Sequence, residues 1–222
     1  MTRPTTIAAF FDVDRTIVMG HTSRLYFRHL RDRGELGWRG LLRVSSVLLR
    51  YKLAVINMNK VMEQAAHEMR GFSEQRLTAL CQEVFSERVI PRISNAAVEA
   101  IEGHRRLGHR IVLLTASTTY MIEPLSRHLA CDDYLCTELA VQQGTLTGDF
   151  VRPMCFGEGK RYWAEQYAEE HSIDLKQSYF YTDSYTDLPM LLAVGHQRIV
   201  NPDPRLRLHA LRRRWPVLRF NR

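Results

Sequence analysis

Three short apolar runs, far apart in this chain, each end abruptly in a group that can carry charge or chemistry. Ala8-Ala9-Phe10-Phe11 runs into Asp12 and Asp14, Arg110-Ile111-Val112-Leu113-Leu114 ends at Thr115, and Ser178-Tyr179-Phe180-Tyr181-Thr182 ends at Asp183. Continuous apolar runs of this length read as strands buried on both faces. Helical periodicities separate them, which predicts an α/β core with a parallel sheet between two helical layers. Right-handed crossovers then bring the three strand ends to one edge, where open parallel sheets bind ligands.

Between the first strand and Pro91 the pattern is helical throughout. Ser23 to Arg33 stops at Gly34, Trp38 to Ile56 follows, then Met58–Arg70 and Ser73–Glu87, with Gly71 as a stop and Ser73 as an N-cap. Residues 21–88 are therefore expected to form an all-helical domain inserted into a core made of 1–20 and 89–222. Beyond Pro91 the reading is helix over Ala96–Leu107, strand to Thr115, helix over Thr118–Ala130 and a short strand at Tyr134–Thr137. A hairpin over Ala140–Val151 and a helix over Gly159–His171 come next, then the strand ending at Asp183 and a helix over Asp187–Val194. A last strand, Arg198–Asn201, and a helix over Pro204–Arg214 complete the chain.

At 222 residues the chain is long enough for such a core with an insert. Its net charge of +7 is local: seven Arg and no acid lie between Arg205 and Arg222, and the remainder balances. A basic body wrapped in nucleic acid is thereby disfavoured, and no specific nucleic-acid partner is expected. Four Cys without a C-x-x-C pair point to reduced thiols and a cytoplasmic protein. Met1 to Thr6 has no signal-peptide order, and no stretch reaches the ~20 apolar residues that span a bilayer.

Two Asp at i and i+2 of an extended segment point the same way, and their repulsion calls for a cation. With Asp183, Asp187, Thr115 and Lys160 at the same edge, the set suits Mg2+ beside a phosphoryl group. Lys160 and Thr115 would hold the other phosphate oxygens. Read singly, Thr115 is a helix cap, Lys160 a solvated charge, and Asp183 with Asp187 a cap and a first-turn acid. Their joint occurrence at strand ends makes the functional reading the stronger one. No His pair stands at i, i+4, which disfavours zinc.

Asp12-Val13-Asp14-Arg15-Thr16, Thr115 after an apolar strand, Gly159-Lys160 and Asp183-Ser184-Tyr185-Thr186-Asp187 occur in that order. In this the chain resembles the haloacid dehalogenase-like phosphatases, subfamily IB, the phosphoserine phosphatase-like group. The resemblance implies a three-layer Rossmann-like core with a helical cap inserted after the first strand. It implies a Mg2+-dependent phosphatase in which Asp12 attacks phosphorus and Asp14 serves as acid and then base. Mg2+ would be held by Asp12, the backbone carbonyl of Asp14, and Asp183; Asp187 would act through the metal's waters or by orienting Lys160. Thr115, Ser117 and Lys160 would bind the phosphate.

His21 stands where phosphoserine phosphatases carry a Glu for the substrate amine, and Thr186 where they carry Asn, so the substrate is expected to differ. His21 then reads either as a specificity residue or as an ordinary hinge residue. Trp38–Ile56 is apolar almost all round with only basic charges, as in a cap helix or one lying on an anionic membrane. Arg212-Arg213-Arg214 with Trp215 could share that surface, at the inner face of the membrane. The expected substrate is a small phosphorylated metabolite or a lysophospholipid-type head group. The alternatives are a phosphotransferase using the same intermediate, and a silent membrane-associated binding protein.

Overall fold

The structure, a computed structural model, describes residues 6–35 and 58–221. Strand β1 (Ala8–Phe11) is buried along its whole length. It pairs in parallel with β2 (Arg110–Thr118) on one side and β6 (Tyr179–Thr182) on the other. With β3 (Asp133–Thr137), β7 (His196–Val200) and β8 (Val217–Leu218), the sheet order is β3-β2-β1-β6-β7-β8, all parallel. Alternate residues of β1 feed two separate cores. Ala9 and Phe11 pack with Ile101, Ile111, Leu113 and Ile122, while Ala8 and Phe10 pack with Val112, Leu114, Phe180 and Met190. That two-sided burial is why the strand is apolar at every position instead of at every second one.

Helices α1 (Thr22–Asp32), α2 (Met58–Glu68) and α3 (Glu74–Val84) lie between β1 and β2. The Ser73 hydroxyl caps α3, accepting from Arg76 N–H. A π-helical turn at Phe85–Val89 and a 3-10 turn at Ile90–Arg92 lead back to the sheet. The helix expected over 38–56 lies outside the described residues. α4 (Asn95–Arg106), α5 (Thr119–His128), α6 (Glu158–Glu170), α7 (Leu188–Ala193) and α8 (Pro204–Arg213) follow. Most ends fall within a residue or two of the sequence reading. The exceptions have local causes. β2 continues to Thr118 through an irregular register after Leu114, and α3 gives way early to the π turn.

The hairpin of β4 (Leu139–Gln142) and β5 (Thr145–Phe150) is stitched by backbone to the link between α2 and α3. Gly71 N–H donates to Leu146 O, Leu146 N–H to Phe72 O, and Glu74 N–H to Gly144 O. Gly148 sits so close to the end of α2 that a Cβ there would lie 3.3 Å from His67 Cα and 2.9 Å from Cβ of Arg70, just beyond the helix.

The tail is less loose than its arginines suggest. β8 pairs with β7, Asn201 holds Phe220 through both its amide groups, and Ser94 Oγ donates to Asn221 O. A two-residue strand has too little period to be legible in sequence.

On α4, His104 is buried with Nε2 2.9 Å from the Tyr181 hydroxyl and Nδ1 2.8 Å from His109 Nδ1. The rings of Phe11 and Tyr179 flank it. Burial, then His109 and Arg198, push it down to about 4 from 6.5. Between those values the unfolded chain binds the extra proton, so this site costs stability as pH falls from 6.5 towards 4. The melting temperature of the wild type should therefore fall more steeply over that window than that of His104→Gln. Parallel curves would contradict the assignment.

Candidate active site

The predicted residues meet at the carboxyl edge of the sheet. Asp12 leaves β1, and Lys160, buried in the first turn of α6, places Nζ 2.7 Å from Asp12 Oδ1 and 2.8 Å from Asp187 Oδ2. Thr182, the last residue of β6, donates its hydroxyl to the same Asp187 oxygen at 2.6 Å. Asp187 Oδ2 is thus shared between Lys160 and Thr182. Lys160 depends on the residue before it: a Cβ at Gly159 would fall 1.8 Å from Met154 O, so only glycine lets α6 start this close.

Asp183 follows β6, with Oδ2 3.2 Å from Arg15 Nη1. Arg15 occupies the left-handed region (φ 59°) in a tight turn closed by Arg15 N–H to Val18 O and Gly20 O. Asp203 supports the same loop from behind. It accepts from Tyr185 N–H at 2.6 Å, caps α8 through Arg205 and Leu206 N–H, and gives its own N–H to Asp183 O.

Asp14 turns towards α1, where Oδ1 accepts from Thr22 N–H at 2.8 Å and Oδ2 lies 3.6 Å from His21 Nδ1. Thr22 Oγ1 is 2.7 Å from Ser117 Oγ, and Ser117 N–H donates to Thr115 Oγ1. His21 therefore neighbours Asp14, and Ser117 is tied to α1.

Asp12, Asp183 and Asp187 are all buried, and the buried ammonium of Lys160 pairs with Asp12 and Asp187, while Asp183 pairs with Arg15. Burial resists the Lys160 charge, but Asp12 and Asp187 outweigh it and hold the ammonium above its usual range. The strain falls on the acids. Burial raises Asp12 to about 7, Lys160 opposing and Asp187 and Asp14 adding. Burial and Asp12 raise Asp183 to about 8 against the pull of Arg15.

The profile of the haloacid dehalogenase-like hydrolases matches residues 9–192. This chain belongs to that family. A Mycobacterium tuberculosis protein named probable phosphatase is 32% identical over 97% of this chain and 76% of its own length. A phosphoserine phosphatase of the same strain is 32% identical over 97% of this chain and 71% of its own. A solved structure from Bordetella pertussis Tohama I, of a protein with unknown function, has a TM-score of 0.89 at 26% identity. It covers 96% of this chain and 98% of that one. The chain is a phosphoric monoester hydrolase of haloacid dehalogenase type.

Among the described residues of this hydrolase, no three His, Cys, Asp or Glu side chains form a ready-made metal-holding group. The chemistry of the edge nevertheless fits a hard divalent cation. Asp12 and Asp183 are oxygen donors whose ionisation is held back by burial and mutual repulsion, and added positive charge would relieve both.

Sequence reasoning missed Arg15, Thr22, Thr182 and Asp203. Thr182 and Asp203 had weak signals, as the last strand residue before Asp183 and the residue before Pro204. Arg15 and Thr22 had none, because their partners Asp183 and Ser117 lie in distant segments.

Proposed function

We propose that this hydrolase is a Mg2+-dependent phosphatase that cleaves a phosphate monoester through an aspartyl phosphate on Asp12. The observation that carries the reading is Lys160, which joins Asp12 to Asp187 at the sheet edge beside a second strained carboxyl, Asp183. Asp12 would attack phosphorus as the ester oxygen leaves, and Asp14 would give that oxygen its proton. Asp14 would then take a proton from the water that attacks phosphorus and releases Asp12. Lys160 and Thr115 would hold phosphoryl oxygens, with Ser117 beside them. Asp12, Asp183 and the backbone of Asp14 would hold Mg2+, which when bound offsets charge on the phosphoryl oxygens. Residues 21–88 would form the cap that closes over this edge.

The substrate class is a small phosphorylated metabolite or a phospholipid head group. His21, beside Asp14, supports a leaving group other than a serine amine carrier. The test is phosphate release from an aryl phosphate, phosphoserine, histidinol phosphate, sugar phosphates and lysophosphatidic acid, with Mg2+ and with chelator. Turnover that requires Mg2+ supports the reading, and the ranking selects the substrate class. A folded protein that binds Mg2+ and releases no phosphate would replace it with a transferase or binding role.

A peripheral membrane contact is a second reading, favoured by one feature. On α8, Leu208 and Leu211 are 51% and 65% exposed among exposed Arg205, Arg207, Arg212 and Arg213. Apolar side chains ringed by arginines suit an anionic lipid surface. No described helix is long and apolar enough to cross a membrane, and four free cysteines support a cytoplasmic setting. Co-flotation with phosphatidylglycerol vesicles, but not neutral ones, is expected, and a protein left at the bottom of both gradients would dismiss the contact.

A further inference from the structure

The start of α1 leads back to the reaction centre. His21, at the N-cap position, is extended (φ −108°, ψ 123°) and supplies no side-chain cap. The first helical amide, Thr22 N–H, is taken instead by Asp14, at 2.8 Å on Oδ1. Thr22 is 1% exposed, and its hydroxyl lies 2.7 Å from Ser117 Oγ. Ser117 N–H reaches Thr115 Oγ1 at 3.3 Å. One residue at the root of the helical insert therefore grips the proton-transfer carboxyl with its backbone and the edge of β2 with its side chain.

We propose that Thr22 is the positioning residue of this active site, aiming Asp14 with its amide and Ser117 with its hydroxyl. The proposal rests on the phosphatase reading above. Thr22 N–H occupies Asp14 Oδ1 and so fixes the plane of the carboxyl, with Oδ2 left to meet the substrate. In the first step the Asp12–phosphorus bond forms, the bond from phosphorus to the ester oxygen breaks, and a proton passes from Asp14 to the departing oxygen. The hydroxyl pair fixes α1 against β2, which keeps the amide where Asp14 needs it. Proton transfer of this kind depends on holding the carboxyl in hydrogen-bond reach of the oxygen.

The backbone allows this amide, together with the hydroxyl, to be removed without loss of a helical hydrogen bond. Thr22 is the first residue of α1, where proline is accepted because that N–H lies outside the helical ladder. The residue before a proline must be extended, and His21 already is. The experiment measures kcat/KM in Mg2+ for an alkyl and an aryl phosphate monoester. An aryl oxide leaves as a stabilised anion, whereas an alkoxide needs the proton. Thr22→Pro should lose at least ~10-fold more on the alkyl ester than on the aryl ester. Thr22→Ser, which keeps both contacts, should retain the wild-type ratio.

Equal losses on both esters, or no loss, would overturn the assignment, because a merely structural role lowers both alike. Should circular dichroism show Thr22→Pro unfolded, Thr22→Val carries the test. Without the tie to Ser117 it should shift the ratio in the same direction by about 3-fold or more, with Thr22→Ser restoring it. A uniform loss would again overturn the proposal. A wild type that hydrolyses neither ester would instead refute the phosphatase reading, a result distinct from an active wild type with unselective variants.

Discussion

Asp12→Asn should abolish turnover, by at least ~10^4-fold, while leaving a protein at least as resistant to heat as the wild type when divalent cations are removed. The first half follows from chemistry: an amide oxygen does not form the bond to phosphorus that a carboxylate forms. The second half follows from burial. Asp12 and Asp187 are two buried carboxylates sharing one buried ammonium, and the ionised form of Asp12 is already disfavoured there. Asn removes that charge and still offers Lys160 an acceptor oxygen. Added Mg2+ should raise the melting temperature of the wild type by several degrees and that of the variant by less, since mass action stabilises only a protein that binds. Phosphate release and melting curves, each with and without chelator, check both halves. An active Asn variant would remove Asp12 from the mechanism, and an unfolded one would show the site to be a structural ion pair.

Lys160→Met should be strongly destabilising. It leaves Asp12 and Asp187 buried without their common partner, and breaking a buried pair in this way costs about 3–5 kcal/mol. For a chain of this length that is a drop of roughly 6–20 °C in melting temperature. Turnover should fall by ~10^2-fold or more, because under the proposed function the ammonium would also hold phosphoryl oxygens. Combining it with Asp187→Asn separates the two losses: removing one orphaned carboxylate should recover part of the stability and none of the activity. Thermal melts and kcat for the two single variants and the double variant form a cycle that measures the coupling. A Met variant as stable as the parent would mean that Lys160 is not paired as described.

Asp12, Thr115, Lys160 and Asp183 were readable because each stands where a periodic pattern stops, at the end of a buried strand or the start of a helix. Topology did the rest, since parallel pairing of β1 with β2 and β6 places those ends together. Asp187 was readable as a member of the set, but its pairing with Lys160 was one of two roles left open. Thr22 and Arg15 were opaque for a physical reason. Thr22 matters through Ser117, 95 positions away, and Arg15 through Asp183 and Asn201, 186 positions from it. No local propensity encodes such a meeting. Element ends were approximate because caps set them: α4 begins at Asn95 since the Ser94 hydroxyl accepts from Ala97 N–H.

The seam between the β4–β5 hairpin and the α2–α3 link bears on how such hydrolases can be recombined. A chimera that imports a foreign 58–84 segment onto the native hairpin would misalign the donors and acceptors of Gly71, Phe72 and Glu74 against Leu146 and Gly144. It would also set a new helix surface against Gly148, where no slack exists. Segments 58–84 and 139–150, though separated by two strands of the core, therefore form one exchangeable unit. Moved together they carry their own interface; moved singly, each arrives with its edge unpaired.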